Sequence, residues 1–163
     1  YMNRRLVTAP LALALVAALA SPVFAVKKGN AKFLGGTIKT IGENAEGPID
    51  LTNEKRLTYI PKNSGVLEIP WDRVSQLEYG QKVARRWRSA ILLSPLALFH
   101  KAKKHIVTIS YQDRDKAEQA IVLEFDNDDI RMVLASLKAR TLQTIVMQDE
   151  DAKKDMGGII DKK

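Results

Sequence analysis

Short apolar runs of period two occupy the chain from Phe33 to Phe125, and the period changes to a helical one only once, from Ile130 onward. Strands that alternate in this way bury one face. A set of them with a single amphipathic helix must bring that helix over the shared apolar face. The first run is Phe33 to Ile41, and Gly35-Gly36 within it points to a bulge or a tight bend. Ile49 to Thr52, Leu57 to Ile60, Val66 to Ile69 and Val74 to Tyr79 follow, with Pro70 closing the fourth. Lys62-Asn63-Ser64-Gly65 is the best hairpin loop, because Asn and Gly tolerate the positive φ such loops need. Ile106 to Tyr111 and Ala120 to Phe125 are the strongest strands, and the short Asp-containing turn between them predicts an antiparallel hairpin.

Ile130, Val133, Leu134, Leu137 and Thr141 then share one helical face. Asp126 or Asn127 suits its N-cap, Asp128 and Asp129 suit its positive end, and Lys138 and Arg140 suit the other end. Seven strands and one C-terminal amphipathic helix predict a mainly β (α+β) domain over 26–145. The best match is a pleckstrin-homology-like roll, in which two packed antiparallel sheets form a small β-barrel plugged at one corner by the helix. Another small α+β barrel and a sandwich with a helix on one side are the alternatives. Residues 146–163 are charged and Gly-containing and read as a disordered tail.

Residues 1–25 stand apart from the fold. Arg4 and Arg5 precede the apolar run Leu11 to Ala20, Ser21-Pro22 breaks it, and Val23-Phe24-Ala25 fits a cleavage point. This is the three-part pattern of a secretory signal peptide, and the run is too short to span a bilayer. It predicts an exported chain, periplasmic or extracellular after cleavage near Ala25. The remainder carries 24 Lys and Arg against 19 Asp and Glu, a net +5. That charge favours anionic partners, and export turns the expectation away from nucleic acid and toward anionic lipid or envelope proteins. The chain has no Cys, which excludes a disulfide framework, a thiolate metal site and a Cys nucleophile. Its core alone must hold the domain, and a chain of this size buries roughly two-thirds of its unfolded surface.

The motifs Gly35-Gly36-Thr37-Ile38, Glu46-Gly47, Leu67-Glu68-Ile69-Pro70, Leu77-Glu78-Tyr79-Gly80-Gln81-Lys82 and Lys104-His105-Ile106-Val107-Thr108-Ile109-Ser110-Tyr111 resemble an uncharacterised exported bacterial family, of acidobacterial type. Gln119-Ala120-Ile121-Val122-Leu123-Glu124 and the helix from Arg131 to Arg140 continue the likeness, which covers about Lys32 to Arg140. The resemblance implies export and a pleckstrin-homology-like domain. It implies no catalytic residue.

Reaction chemistry has little to stand on. GxSxG, HExxH, GxxxxGK[ST] and GxGxxG are all missing. His100 and His105 have lysines around them where orienting carboxylates would be needed, so His105 reads as a half-exposed strand residue. Asp126, Asp128 and Asp129 lack the Gly and the bidentate Glu of a calcium loop and read as helix capping. Glu68, Glu78 and Glu124 are the carboxylates that distant strands could pair for acid/base work, though no spacing asks for it. The expectation is a non-enzymatic protein without cofactor or metal.

The unusual segment is Lys82 to Lys104. Lys82, Arg85, Arg86 and Arg88 lie on one flank, and Lys101, Lys103 and Lys104 on the other. Between them Ala90 to Phe99 is apolar apart from Ser94-Pro95. Three readings stand together. The apolar stretch packs on the roll with solvated basic edges, or Trp87, Leu92, Leu93, Leu96 and Phe99 enter lipid while the cations meet anionic headgroups. In the third, the segment is a contact surface for an envelope protein or a second copy of the chain.

Overall fold

The computed structural model describes residues 29–81, 87, 92–93 and 105–155. Its strands are β1 (Gly29–Gly36), β2 (Glu46–Asp50), β3 (Arg56–Tyr59), β4 (Leu67–Pro70), β5 (Val74–Gly80), β6 (Leu92–Leu93), β7 (His105–Gln112), β8 (Glu118–Phe125) and β9 (Ile145–Met147). The helices are α1 (Asn127–Thr141) and α2 (Glu150–Asp155). Among the described residues one sheet runs in the order β4-β3-β2-β1-β8-β7-β5-β9, and β6 pairs with β1 off that path. The ladders are antiparallel except β5 with β9, so the sheet is mixed. This is a mainly β domain, and its arrangement is consistent with a pleckstrin-homology-like fold.

Alternation sets the packing. Leu57 and Ile69 near one edge share a core with Leu77, Ile109, Leu123 and Ile145 near the other. A sheet whose two ends contribute to one core must curl round it. Ile130, Val133, Leu134 and Leu137 of α1 are buried in the same core, the four apolar positions expected of that face. The curl does not close. β4 and β9 remain the two edges of the path, which corrects the expected barrel and its purely antiparallel sheets.

Local chemistry explains most boundaries. Asn63 adopts φ 57° in the β3–β4 turn, and Lys116 adopts φ 63° between β7 and β8. In that second turn the Asp113 carboxylate accepts from Gln119 Nε2, Ala117 N and Asp115 N, all at 2.9 Å. Those hydrogen bonds, with Gln119 first, hold its carboxyl below the usual range. The β1–β8 register shifts between Phe33 and Gly35, as glycines inside a strand suggested. Gly47 must be glycine for another reason: a Cβ there would lie 2.1 Å from the Ile60 carbonyl oxygen.

The N-terminus of α1 differs from expectation. Asp126 occupies the cap position without a side-chain hydrogen bond to the helix, while its carbonyl oxygen accepts from Asp129 N and Ile130 N. Asp129 instead turns inward, and its Oδ2 accepts from Asn30 N of β1 at 3.2 Å.

The expected disordered tail is also corrected for part of its length. Val146 and Met147 lie in β9 beside Glu78 and Tyr79, and α2 follows. Ile145 and Ala152 are buried in the core, Gln148 N donates to Tyr79 O at 2.8 Å, and Gln148 Nε2 donates to Glu78 Oε2. Of the charges that suggested a solvated tail, Glu150, Lys153 and Lys154 are exposed on this short helix. Residues 1–28, with the expected signal peptide, and 156–163 lie outside the described residues.

Deleting 144–163 should therefore lower stability by about 3 kcal/mol or more, since it uncovers β5 and removes a buried Ile. Urea unfolding of the shortened chain checks this, and an unchanged midpoint would return the segment to a dispensable tail. Alkali offers a second test. Burial is the main cause that pushes both Tyr59 and Tyr111 up to about 12, with the charges of Glu46 and Asp113 adding to it respectively. The folded state thus holds these phenolic protons more tightly than the unfolded chain, whose value is near 10. Stability from this source is complete below about pH 10 and should fall as pH rises from 10 toward 12. Thermal midpoints across that range, followed with tyrosinate absorbance, provide the check.

Candidate functional site

β7 and β8 are buried on both faces. Val107, Ile109 and Tyr111 enter the main core, so Ile106, Thr108 and Ser110 point to the other side of the sheet. There Ile106 joins Leu34, Ala120, Val122 and Trp87 in a second cluster. Thr108 and Ser110 are 1% and 0% exposed, although their face is the outer one. A hydroxyl shut away from water needs a partner, and Ser110 has one: Trp87 Nε1 donates to its Oγ at 2.9 Å.

Trp87 is 7% exposed, a burial that accords with the packing reading among the three that the segment left open. Farther along, the backbone of Leu92–Leu93 pairs with Gly36 and Gly35. A Cβ on Gly36 would stand 2.8 Å from Ala120 O, so that edge of β1 fits closely against β8. The segment thus leaves β5, meets the outer face at Trp87 and reaches β1 on the far side of β8. Lys82, Arg85, Arg86, Arg88, Leu96, Phe99, Lys101, Lys103 and Lys104 lie outside the described residues.

The segment departs at Gln81 and returns at His105, and both ends are held. Gly80 is the cross-strand partner of Ile106, so the two ends meet at one end of the sheet. Gln81 N donates to Asp149 Oδ2 at 3.0 Å. His105 Nδ1 lies 2.6 Å from Tyr79 Oη, its ring stacks on the tyrosine with centroids 5.9 Å apart, and its Nε2 meets Asn127 Oδ1. With Asn127 Oδ1 as acceptor, Nε2 carries the hydrogen of that bond, and Nδ1 pairs with the tyrosine hydroxyl. One imidazole therefore ties β5, β7 and the first residue of α1 together. Sequence reading left His105 as an ordinary strand residue, because its partners come from distant positions.

Charge is segregated. The described residues carry 13 Lys and Arg against 18 Asp and Glu, a net −5. The segment from 82 to 104 carries seven cations and no acid. The basic balance of the chain is therefore not a property of the body of the domain.

Among the described residues the three carboxylates considered for acid/base work do not meet. Glu68 pairs with Arg56 at 3.3 Å on the edge hairpin, Glu78 is buried beside Gln148, and Glu124 sits across from Lys32 and Ile106. The register keeps these three carboxylates on separate strands and apart along them. Among the described residues no group of three or more His, Cys, Asp or Glu could hold a metal ion. A polar recess of about 240 Å³ is lined by Asn30, Ala31, Lys32, Glu46, Glu124 and Asp126, and its lysine already pairs with Glu46 at 3.7 Å.

No protein-family model and no curated protein matches the sequence. The solved structure of the Spt16D Pob3N heterodimer contains a chain similar to this one at 10% identity and a TM-score of 0.40, covering 74% of this chain. This chain spans 56% of that one. A likeness at that level bears on neither partner nor activity. The resemblance to an exported bacterial family rests on the strand-and-turn motifs alone.

Replacing Tyr79 by Phe removes the hydroxyl that His105 Nδ1 engages and should cost about 1 kcal/mol in urea unfolding. Stability equal to that of the unsubstituted protein would show that the imidazole is not a tie between the strands and α1.

Proposed function

We infer that this chain is a non-enzymatic binding module of the bacterial envelope, exported and folded as a pleckstrin-homology-like roll. Its binding surface is formed by the basic flanks of 82–104 and meets anionic membrane surfaces. Support for the roll comes from the strand order, in which β4 to β1 connect through β8 to β7 and β5, with α1 over the shared core. Support for export comes from the signal-like pattern of residues 1–25.

The observation that carries the binding reading is the pairing of Gly80 with Ile106. It brings the points where a seven-cation segment leaves and rejoins the sheet to one end of a body whose described residues carry a net −5. An anionic surface attracts the segment and repels the body, so such a molecule approaches in one orientation. The attraction acts between exposed charges and is screened over about 8 Å at physiological salt.

Flotation of residues 26–163 tests this, since they contain every described element and leave out the apolar run Leu11 to Ala20. Binding to phosphatidylglycerol-containing vesicles at low salt is expected, with loss at high salt and none to phosphatidylcholine alone. Neutralising Arg85, Arg86, Lys103 and Lys104 together to Gln should abolish it. Absence of binding to both vesicles would overturn the membrane reading and turn the segment toward an envelope protein or a second copy.

A further inference from the structure

We propose that β9 is the seam of a symmetric dimer: its outer edge pairs, antiparallel, with the same strand of a second copy of this chain, about a two-fold axis through Thr144. Neither the segment 82–104 nor the membrane reading enters into it.

The two edges of the sheet are built differently. β4 carries Glu68, which pairs with Arg56 at 3.3 Å, and ends in Pro70, which has no N–H to give. Charge and proline are usual guards of an edge against pairing with another chain. β9 ends the path on the other side among the described residues and has neither guard. It lies inside Thr141 to Gln148, eight residues without Asp, Glu, Lys, Arg, Gly or Pro. Among the described residues, a run of that length without Asp, Glu, Lys or Arg recurs only at His105 to Gln112, which is β7, a strand with a neighbour on each side. β9 thus has the composition of an inner strand and the position of an outer one. Leu142 and Val146, 89% and 43% exposed, stand beside it in water.

The backbone offers the matching donors and acceptors. Gln148 N donates to Tyr79 O of β5 at 2.8 Å. Alternate residues of a strand direct their N–H and C=O to the same side, so Val146 also faces β5, while Ile145 and Met147 aim theirs at the outer edge.

Charge selects the occupant and the direction. The neutral run is entered from Lys138 and Arg140 and left through Asp149 and Glu150. Arg140 is held at one end, where its Nη2 donates to Thr52 O at 2.8 Å. Asp149 is held at the other, accepting from Gln81 N at 3.0 Å and Ala152 N at 2.8 Å. Glu150 already meets Lys153, so Asp149 is the main acid there. A sequence that is basic, then neutral, then acidic complements its own reverse. Antiparallel pairing brings the Arg140 end of each copy to the Asp149 end of the other, whereas parallel pairing would stack like charges. The two-fold at Thr144 also sets Leu142 of each copy across from Val146 of the other. A strand this short covers less than the roughly 800 Å² per partner of a standard interface, so the dimer is weak and reversible.

Sedimentation velocity of residues 26–163, from about 1 μM to about 1 mM, tests this. The mean mass should rise from one chain toward two, with half association on the order of tens of micromolar. Leu142→Glu and Val146→Lys lie at exposed positions, so each should leave the thermal midpoint of the dilute protein unchanged while weakening the dimer about tenfold or more. An equimolar mixture of the two variants should regain association, because the introduced carboxylate and ammonium face each other across the two-fold. A single mass at every concentration would overturn the proposal and leave the edge to a partner of another kind. Association that survives both substitutions would overturn it as well, and a mixture that stays monomeric would rule out the antiparallel register it requires.

Discussion

The ladder between β1 and β8 joins the first strand to the last long one, Ala31 to Phe125 and Phe33 to Leu123, and the other packing follows from it. On one side of this ladder hang β2, β3 and β4, and on the other β7, β5 and β9. Neither half could enclose the core alone. Only when β1 and β8 meet do Ile49, Leu57 and Ile69 face Leu77 and Ile109, with α1 filling the space between. Supporting bonds gather at the joint. Tyr59 Oη lies 2.8 Å from Ala45 O and 3.2 Å from Ala31 O, and Asp129 of α1 accepts from Asn30 N. A contact so remote in sequence closes at an entropic cost, and buried residues on both strands fix its register.

The same ladder creates a demand on the outer face. β7 and β8 lie in the middle of the path, so their outward residues cannot be screened by an edge. Ile106, Ala120 and Val122 are apolar there, and Thr108 and Ser110 carry hydroxyls that water does not reach. A half-polar, half-apolar strip of this kind suits a cover that brings both surface and a donor, and indole is the side chain that supplies both. The segment between β5 and β7 begins beside this strip and delivers Trp87 to it.

Periodicity made the seven long strands and α1 legible, because each carries enough alternating residues to declare its own face. β6, β9 and α2 were not legible. Two, three and six residues are too few to show a period, and each exists by pairing with or packing on something already formed. Gln148 to Asp155 looks solvated in sequence because six of its eight residues are charged, yet Ala152 turns to the core. The tie at His105 was hidden differently. Tyr79 and Asn127 become its neighbours only through the β5–β7 register and the return of the chain from β8 into α1. Charge totals misled in a third way, since a sum over the chain conceals a body of −5 under a segment of seven cations.

An aromatic residue between arginines can turn to the body of its own domain or to a lipid interface. The balance turns on what lies beneath. A membrane interface offers the ring a place without shape, and the indole N–H finds some oxygen among headgroups or water. The sheet places Trp87 in one buried cluster with Leu34, Ile106, Ala120 and Val122 and offers it a hydroxyl at 2.9 Å that would otherwise be buried without that donor. Dispersion depends steeply on distance, so a fitted pocket outweighs a disordered surface, and the unsatisfied hydroxyl adds its cost only on departure. Arginine has the opposite preference, because its charge is stabilised by water or by an anion and gains nothing from an apolar strip. The indole of Trp87 is accordingly turned toward the body of the domain.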